Sequence, residues 1–157
     1  MKFDIREDDL SSEQTRALLA IHLAGMHASS PPGSVFALDL SGLKSPEITV
    51  WTAWAGDRVA SIGALKMLGR DSAEIKSMRT HPDFLRKGAA TAILEHAISI
   101  AATRGVRRLS LETGSGPAFE PALTLYRRRG FINGGAFSDY EQSPFNQFLH
   151  LELAASI

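Results

Sequence analysis

Met78-Arg79-Thr80-His81-Pro82-Asp83-Phe84-Leu85-Arg86-Lys87-Gly88-Ala89-Ala90-Thr91 changes its period halfway through. Upstream of it, Glu74 to Thr80 reads as a strand that His81-Pro82 closes. Downstream, Ala90, Ile93, Leu94, Ala97, Ile98 and Ala101 recur at helical spacing, and Gly105 is the expected stop. Between strand and helix lies a basic loop with small residues at 88–90, which lets a ligand come close to the backbone. The first N–H groups of a helix have no intrahelical partner, and with the helix dipole they form an anion site. Arg86 and Lys87 add positive charge and Thr91 adds a hydroxyl, so a diphosphate fits there. The same spacing equally describes an ordinary glycine-containing loop before a helix. It is neither a Walker loop nor a G-x-G-x-x-G fingerprint.

Working outward, three strands in a meander precede this stretch's helix. Glu47 to Ala55 is rich in Ile, Val, Thr and Trp; Gly56-Asp57 marks a hairpin turn; Arg58 to Leu68 returns; Gly69 to Ser72 turns again into Glu74 to Thr80. Toward the N-terminus, Lys2 to Arg6 reads as a short strand. Ser11 with Gln14 three residues on suggests a capping box for a helix to about His27. Ser29-Ser30-Pro31-Pro32-Gly33 breaks that helix, and Val35 to Leu43 suits a second, short one. Toward the C-terminus, Arg107 to Glu112 reads as a strand. Pro117 opens a helix that Gly130 ends, and Phe131 and Asn146 to Leu153 supply final strands around a polar Phe137–Pro144 loop. The expected architecture is a mixed α+β fold in a single domain over 1–157, a mostly antiparallel sheet flanked by helices.

Composition narrows the function. The 157 residues carry 17 Lys+Arg against 17 Asp+Glu, which gives no basic surface for nucleic acid and no polybasic membrane anchor. No cysteine is present, so disulfides, thiolate metal sites and a Cys nucleophile are excluded. That composition, with no signal-peptide core over Met1–Arg6 and no apolar run near the ~20 residues of a membrane span, fits a cytoplasmic protein. His22, Met26 and His27 share a helix without carboxylates at ligand spacing, so no metal is expected. Ser110, Ser115 and His150 have no G-x-S-x-G elbow to make a hydrolase of them.

Met78-Arg79-Thr80-His81-Pro82, the basic glycine-containing loop, and then Ala122-Leu123-Thr124-Leu125-Tyr126-Arg127-Arg128-Arg129-Gly130-Phe131 together resemble the GNAT N-acetyltransferase superfamily. Ile75 to Thr80 and Leu109 to Thr113 are similar to the bacterial YsnE-like branch in particular. The resemblance is specific over 74–131. It implies a sheet with splayed middle strands and acetyl-CoA as co-substrate, with no metal required. It also implies an amine acceptor on a small molecule or peptide and leaves a homodimer open. Carried over, it places the pantetheine arm along the Met78 and Thr80 backbone and the diphosphate on the amides of Arg86, Lys87, Gly88, Ala89 and Ala90, and it counts Arg79, Leu85, Thr91, Phe119 and Tyr126 among the cofactor-binding positions. Two positions depart from the family pattern: Leu85 stands where Gln or Arg is usual, with the Arg shifted to 86, and Phe119 replaces a common cofactor-contacting Asn.

The resemblance makes Tyr126 the general acid or sulfur hydrogen-bond donor, where its residue type alone suits a core aromatic. It offers Glu74 as the base that an amine of pKa ~10.4 needs at neutral pH, against a solvated strand-end charge. Glu112, at the end of a strand facing the cleft, is a second candidate base or a group that binds the substrate amine. His81 suits a turn, Arg127–Arg129 a solvated helix end, and Trp51 and Trp54 the core or a cleft wall. A non-catalytic acyl-CoA-binding sensor is the alternative from another class.

Overall fold

In the computed structural model, which describes residues 1–154, one sheet organises everything. Its strands are β1 (Asp4–Glu7), β2 (Ile48–Ala55), β3 (Arg58–Met67), β4 (Ser72–Thr80), β5 (Arg108–Thr113), β6 (Ile132–Gly134) and β7 (Gln147–Glu152). Their order across the sheet is β1-β2-β3-β4-β5-β7-β6, and β4–β5 is the parallel pair in an otherwise antiparallel ladder. The helices are α1 (Glu13–Ser29), α2 (Leu40–Leu43), α3 (Ala89–Thr103) and α4 (Glu120–Arg129). Residues 155–157, the end of the expected 1–157 domain, lie outside the described residues.

The period-2 alternation of the strands sorts side chains onto two faces. Trp51, Ala53, Leu65, Ala73, Ile75, Leu109, Leu111 and Leu149 pack with α3 and α4 in one buried cluster. Val50, Ile62 and Ala64 pack on the other side against Leu18 and Leu19 of α1 and Leu43 of α2. The parallel β4–α3–β5 crossover follows from the period change read in the sequence, because a helix is the usual way to return a parallel strand.

Four local differences from the sequence reading have physical causes. The N-cap of α1 is Ser12, whose hydroxyl accepts from Thr15 N–H at 3.1 Å, because Ser11 donates to Asp9 Oδ1 at 2.6 Å. Gln14 does not close a capping box. Its amide donates to Asp57 O at 2.7 Å and its carbonyl accepts from Val59 N–H at 2.8 Å, satisfying the β2–β3 hairpin. The α4 start shifts from Pro117 to Glu120 because Pro121 has no N–H for the Pro117 carbonyl. Glu120 N–H takes that carbonyl instead, closing one 3₁₀ turn over Pro117–Phe119. Of the helix expected over Val35–Leu43, only α2 forms, since the Asp39 side chain accepts from Gly42 N–H at 2.8 Å and caps it there.

The feature that shapes the site is a bulge in β4. Ile62 pairs with Arg79 and Ala64 with Lys76, so β4 carries one extra residue opposite Gly63. Ser77 absorbs it with φ +57°. Gly63 has no alternative there: a Cβ would collide with Ile93 Cγ2 and with Met78 Sδ. Gly63→Ala is therefore expected to destabilise the protein by about 1–3 kcal/mol in urea unfolding. An unchanged midpoint would mean that Met78 and Ile93 yield freely.

Candidate active site

β4 and β5 pair through Ser72–Arg108, Ala73–Leu109 and Glu74–Ser110, and then part. Beyond that point β4 stays bonded to β3 as far as Thr80, and β5 to β7 as far as Thr113. The strands are splayed, and a cavity of about 570 Å³ opens at the divergence. Met78, Arg79, Thr80, Leu85, Arg86, Gly88, Ala89, Ala90, Thr91 and Phe119 all line it, as do Glu74, Glu112 and Tyr126. Lys87 is exposed and outside the lining.

One end of the cavity is formed by the turn into α3. Arg86 at φ +60° and Gly88 at φ +89° turn the chain sharply into α3. The left-handed conformation suits glycine because it lacks a Cβ. The first α3 bond runs from Ala92 N–H to Gly88 O at 3.0 Å, so the amides of Ala89, Ala90 and Thr91 precede the helical ladder. No side chain caps this helix end, and its first turn holds no acidic residue.

At the divergence itself, α4 delivers Tyr126 from the α3 side of the sheet. The ring packs edge-on to Phe131. The residue is only 5% exposed. Burial pushes the phenol's pKa up, and the positive Arg79 guanidinium opposes that only in part. Tyr126 therefore stays protonated and is a hydrogen-bond donor.

The other side of the sheet carries the charges. Glu74 and Lys76 form an ion pair at 3.1 Å with side chains 3% and 9% exposed. Tyr140 joins them from the 137–144 loop. Its hydroxyl donates to Glu74 Oε2 at 2.5 Å and accepts from Lys76 Nζ at 2.8 Å. The Glu74 carboxylate that the resemblance offers as a base is thus buried and engaged twice. Glu112 is different: its carboxyl has no ion pair or hydrogen bond among the described residues, and the residue lines the cavity. Burial raises its pKa to about 7, with Lys76 opposing and Glu74 adding to the rise. A carboxylate poised near neutrality suits proton transfer.

Lys76, Tyr140 and Phe36 line or border the site without having been singled out from the sequence. Alternation with Glu74 was the signal for Lys76, since residues two apart on a strand share a face. Tyr140 and Phe36 meet edge-on at 5.2 Å from two separate loops, which no local pattern announces. His22 is half of a pair: its Nδ1 accepts from Arg79 Nε at 3.1 Å. Burial first, then the charges of Arg79 and Lys76, lower its pKa to about 4, so it is neutral at physiological pH. His81 caps the 3₁₀ turn that follows β4, as a turn residue should. Trp51 is core, and Trp54 donates to Thr52 Oγ1 at 2.8 Å. No group of three or more His, Cys, Asp or Glu that could hold a metal occurs among the described residues, and no helix is long and apolar enough to cross a membrane.

The sheet thus splays beside an uncapped helix end, with a buried tyrosine at the fork. The model of the Acetyltransferase (GNAT) family matches residues 15–131, and the chain belongs to that family. Two relatives span nearly all of it. The uncharacterized N-acetyltransferase YsnE of Bacillus subtilis is 48% identical over 95% of this chain and 99% of its own. The uncharacterized N-acetyltransferase YedL of Escherichia coli is 44% identical over 96% and 95% respectively. Among solved structures, a GNAT family acetyltransferase from Elizabethkingia anophelis with acetyl-CoA bound superposes with a TM-score of 0.71. At 16% identity, over 97% of this chain and 99% of that one, its likeness concerns the fold.

Proposed function

We propose that this single-domain protein transfers an acetyl group from acetyl-CoA to a primary amine of a small molecule or peptide, in the cytoplasm and by direct attack in a ternary complex. The observation that carries this is the fork between β4 and β5, with Tyr126 on one side and Glu112 on the other of one cavity. The GNAT membership and the acetyl-CoA bound by a structural neighbour support the choice of donor.

Bound acetyl-CoA supplies the thioester. In this reading its diphosphate rests on the amides of 86–90, in the turn and first residues of α3, and its pantetheine arm lies along the Met78–Thr80 edge that β5 leaves open. Glu112 takes the proton of the acceptor ammonium. The freed amine forms the new N–C bond at the thioester carbon, the C–S bond breaks, and the second nitrogen proton passes to water or to the departing sulfur, so that CoA leaves as the thiol. A backbone N–H beside Met78, turned by the bulge, meets the developing oxyanion. The Tyr126 hydroxyl donates to the departing sulfur. Its raised pKa makes hydrogen bonding, rather than full proton transfer, the role that suits a thiolate of ordinary pKa ~8.5. Glu74 acts from behind, holding Lys76 and Tyr140 and keeping Glu112 near neutral.

Acetyl-CoA-dependent thiol release across a panel of primary amines tests the reading. Release well above the amine-free rate is the expected outcome. Tight acetyl-CoA binding with no release from any amine would favour a non-catalytic acyl-CoA-binding module.

A further inference from the structure

Resting on that reading, we propose that the acceptor is a small amino acid, with Arg79 receiving its carboxylate while Glu112 receives its amine. Not every charge in the cavity has a protein partner. Glu74 and Lys76 satisfy each other at 3.1 Å. Arg79, on the same side of the sheet, has no carboxylate within ion-pair range among the described residues. Its Nε donates to His22 Nδ1 at 3.1 Å, and its Nη2 lies 3.5 Å from His22 O. Both acceptors are neutral, since His22 is uncharged. A guanidinium has five N–H donors and stays charged, so most of its capacity is unspent. The group is half-buried, where an uncompensated cation is costly.

The fold also makes room for this side chain. Gly25 sits inside α1, where glycine costs about 1 kcal/mol against alanine. A Cβ at Gly25 would lie 3.0 Å from Arg79 Nη2 and 3.3 Å from Arg79 Cζ. The helix carries a glycine where the guanidinium needs space.

The anion that completes Arg79 does not come from acetyl-CoA. Its phosphates belong at the α3 end, past Thr80 and the 3₁₀ turn, and its pantetheine arm is neutral. Arg79 instead lines the cavity at the fork together with Tyr126, where transfer occurs in that reading. Arg79 and Glu112 line one cavity, and neither has an ion pair among the described residues; Arg86, the other cation of that lining without one, sits at the turn into α3. A zwitterion carrying amine and carboxylate complements both, and a guanidinium matches a carboxylate's two oxygens.

The test measures kcat/KM for thiol release with free amino acids, their carboxamides and the corresponding decarboxylated amines. The expected result is a preference of about 10- to 100-fold for the free amino acids, from one charge-assisted bidentate contact. Arg79→Gln should erase that preference by raising the amino-acid KM, with acetyl-CoA KM unchanged, and Arg79→Lys should restore part of it. If Arg79→Gln fails to fold, Gly25→Ala serves, because it improves helix propensity while crowding the guanidinium; a several-fold higher amino-acid KM is expected. Carboxamides or decarboxylated amines that equal the amino acids would overturn the inference and leave the acetyltransferase reading standing. So would an Arg79 variant that raised acetyl-CoA KM and kept the preference. No release from any of the three sets, with acetyl-CoA still bound, would sink both.

Discussion

Glu112→Gln is expected to lower kcat/KM for the acceptor by about 10²–10⁴-fold, the usual worth of a positioned general base. The amide keeps the size of the carboxyl and cannot take a proton. Glu112 has no structural partner among the described residues to lose, so the fold and acetyl-CoA binding should survive. The pH profile carries the sharper sign. A carboxyl of pKa about 7 is active when ionised, so kcat/KM should rise with pH and level off above neutrality. That acid limb should vanish in the variant. Glu74→Gln separates the two carboxylates. It removes a negative neighbour that raises the Glu112 pKa, so the limb should move to lower pH with a smaller loss of rate. If Glu74→Gln instead abolished the limb and Glu112→Gln left it in place, Glu74 would be the base.

Tyr126→Phe should cost about 10²-fold in kcat and leave acetyl-CoA affinity unchanged, since only the hydrogen bond to the developing thiolate is lost. The ring remains against Phe131, and the hydroxyl has no protein partner among the described residues, so the melting temperature should hardly move. This isolates chemistry from packing. A variant with full activity would return Tyr126 to the role of a core aromatic. A variant that bound acetyl-CoA poorly would make the phenol a binding group rather than a catalytic one.

The strand-loop-helix around Gly88 and the α4 stop at Gly130 were legible in the sequence because their signals are local: a change of period, a positive-φ glycine, a helix end. The same holds for the meander, where Gly56 at φ +61° joins β2 to β3. Residues with a family counterpart, from Met78 to Thr91 and at Tyr126, could be named before any geometry. What could not be read was pairing across distance. Tyr140 reaches Glu74 and Lys76 over more than sixty positions of chain, from a loop whose composition says only that it is polar. The choice between Glu74 and Glu112 likewise turns on who neighbours whom. Both are acidic residues on strands, and only the Lys76 and Tyr140 contacts set them apart. Ser12 was missed as the α1 cap for a related reason: two adjacent serines suit the position, and Asp9 decides between them.

The fork between β4 and β5 also bears on how long the protein survives. A sheet normally closes its ladder with protein, yet here the β4 edge from Ile75 to Thr80 has no strand beside it on the β5 side. If the pantetheine amides complete that ladder, the donor is in effect a missing strand. Anything that binds the folded chain and not the unfolded one adds stability in proportion to the logarithm of its concentration, about 2.7 kcal/mol at a hundred times Kd. The amount of intact protein in a cell would then track the supply of its own acyl donor, falling to proteolysis in starvation and accumulating in plenty, without any dedicated regulatory site.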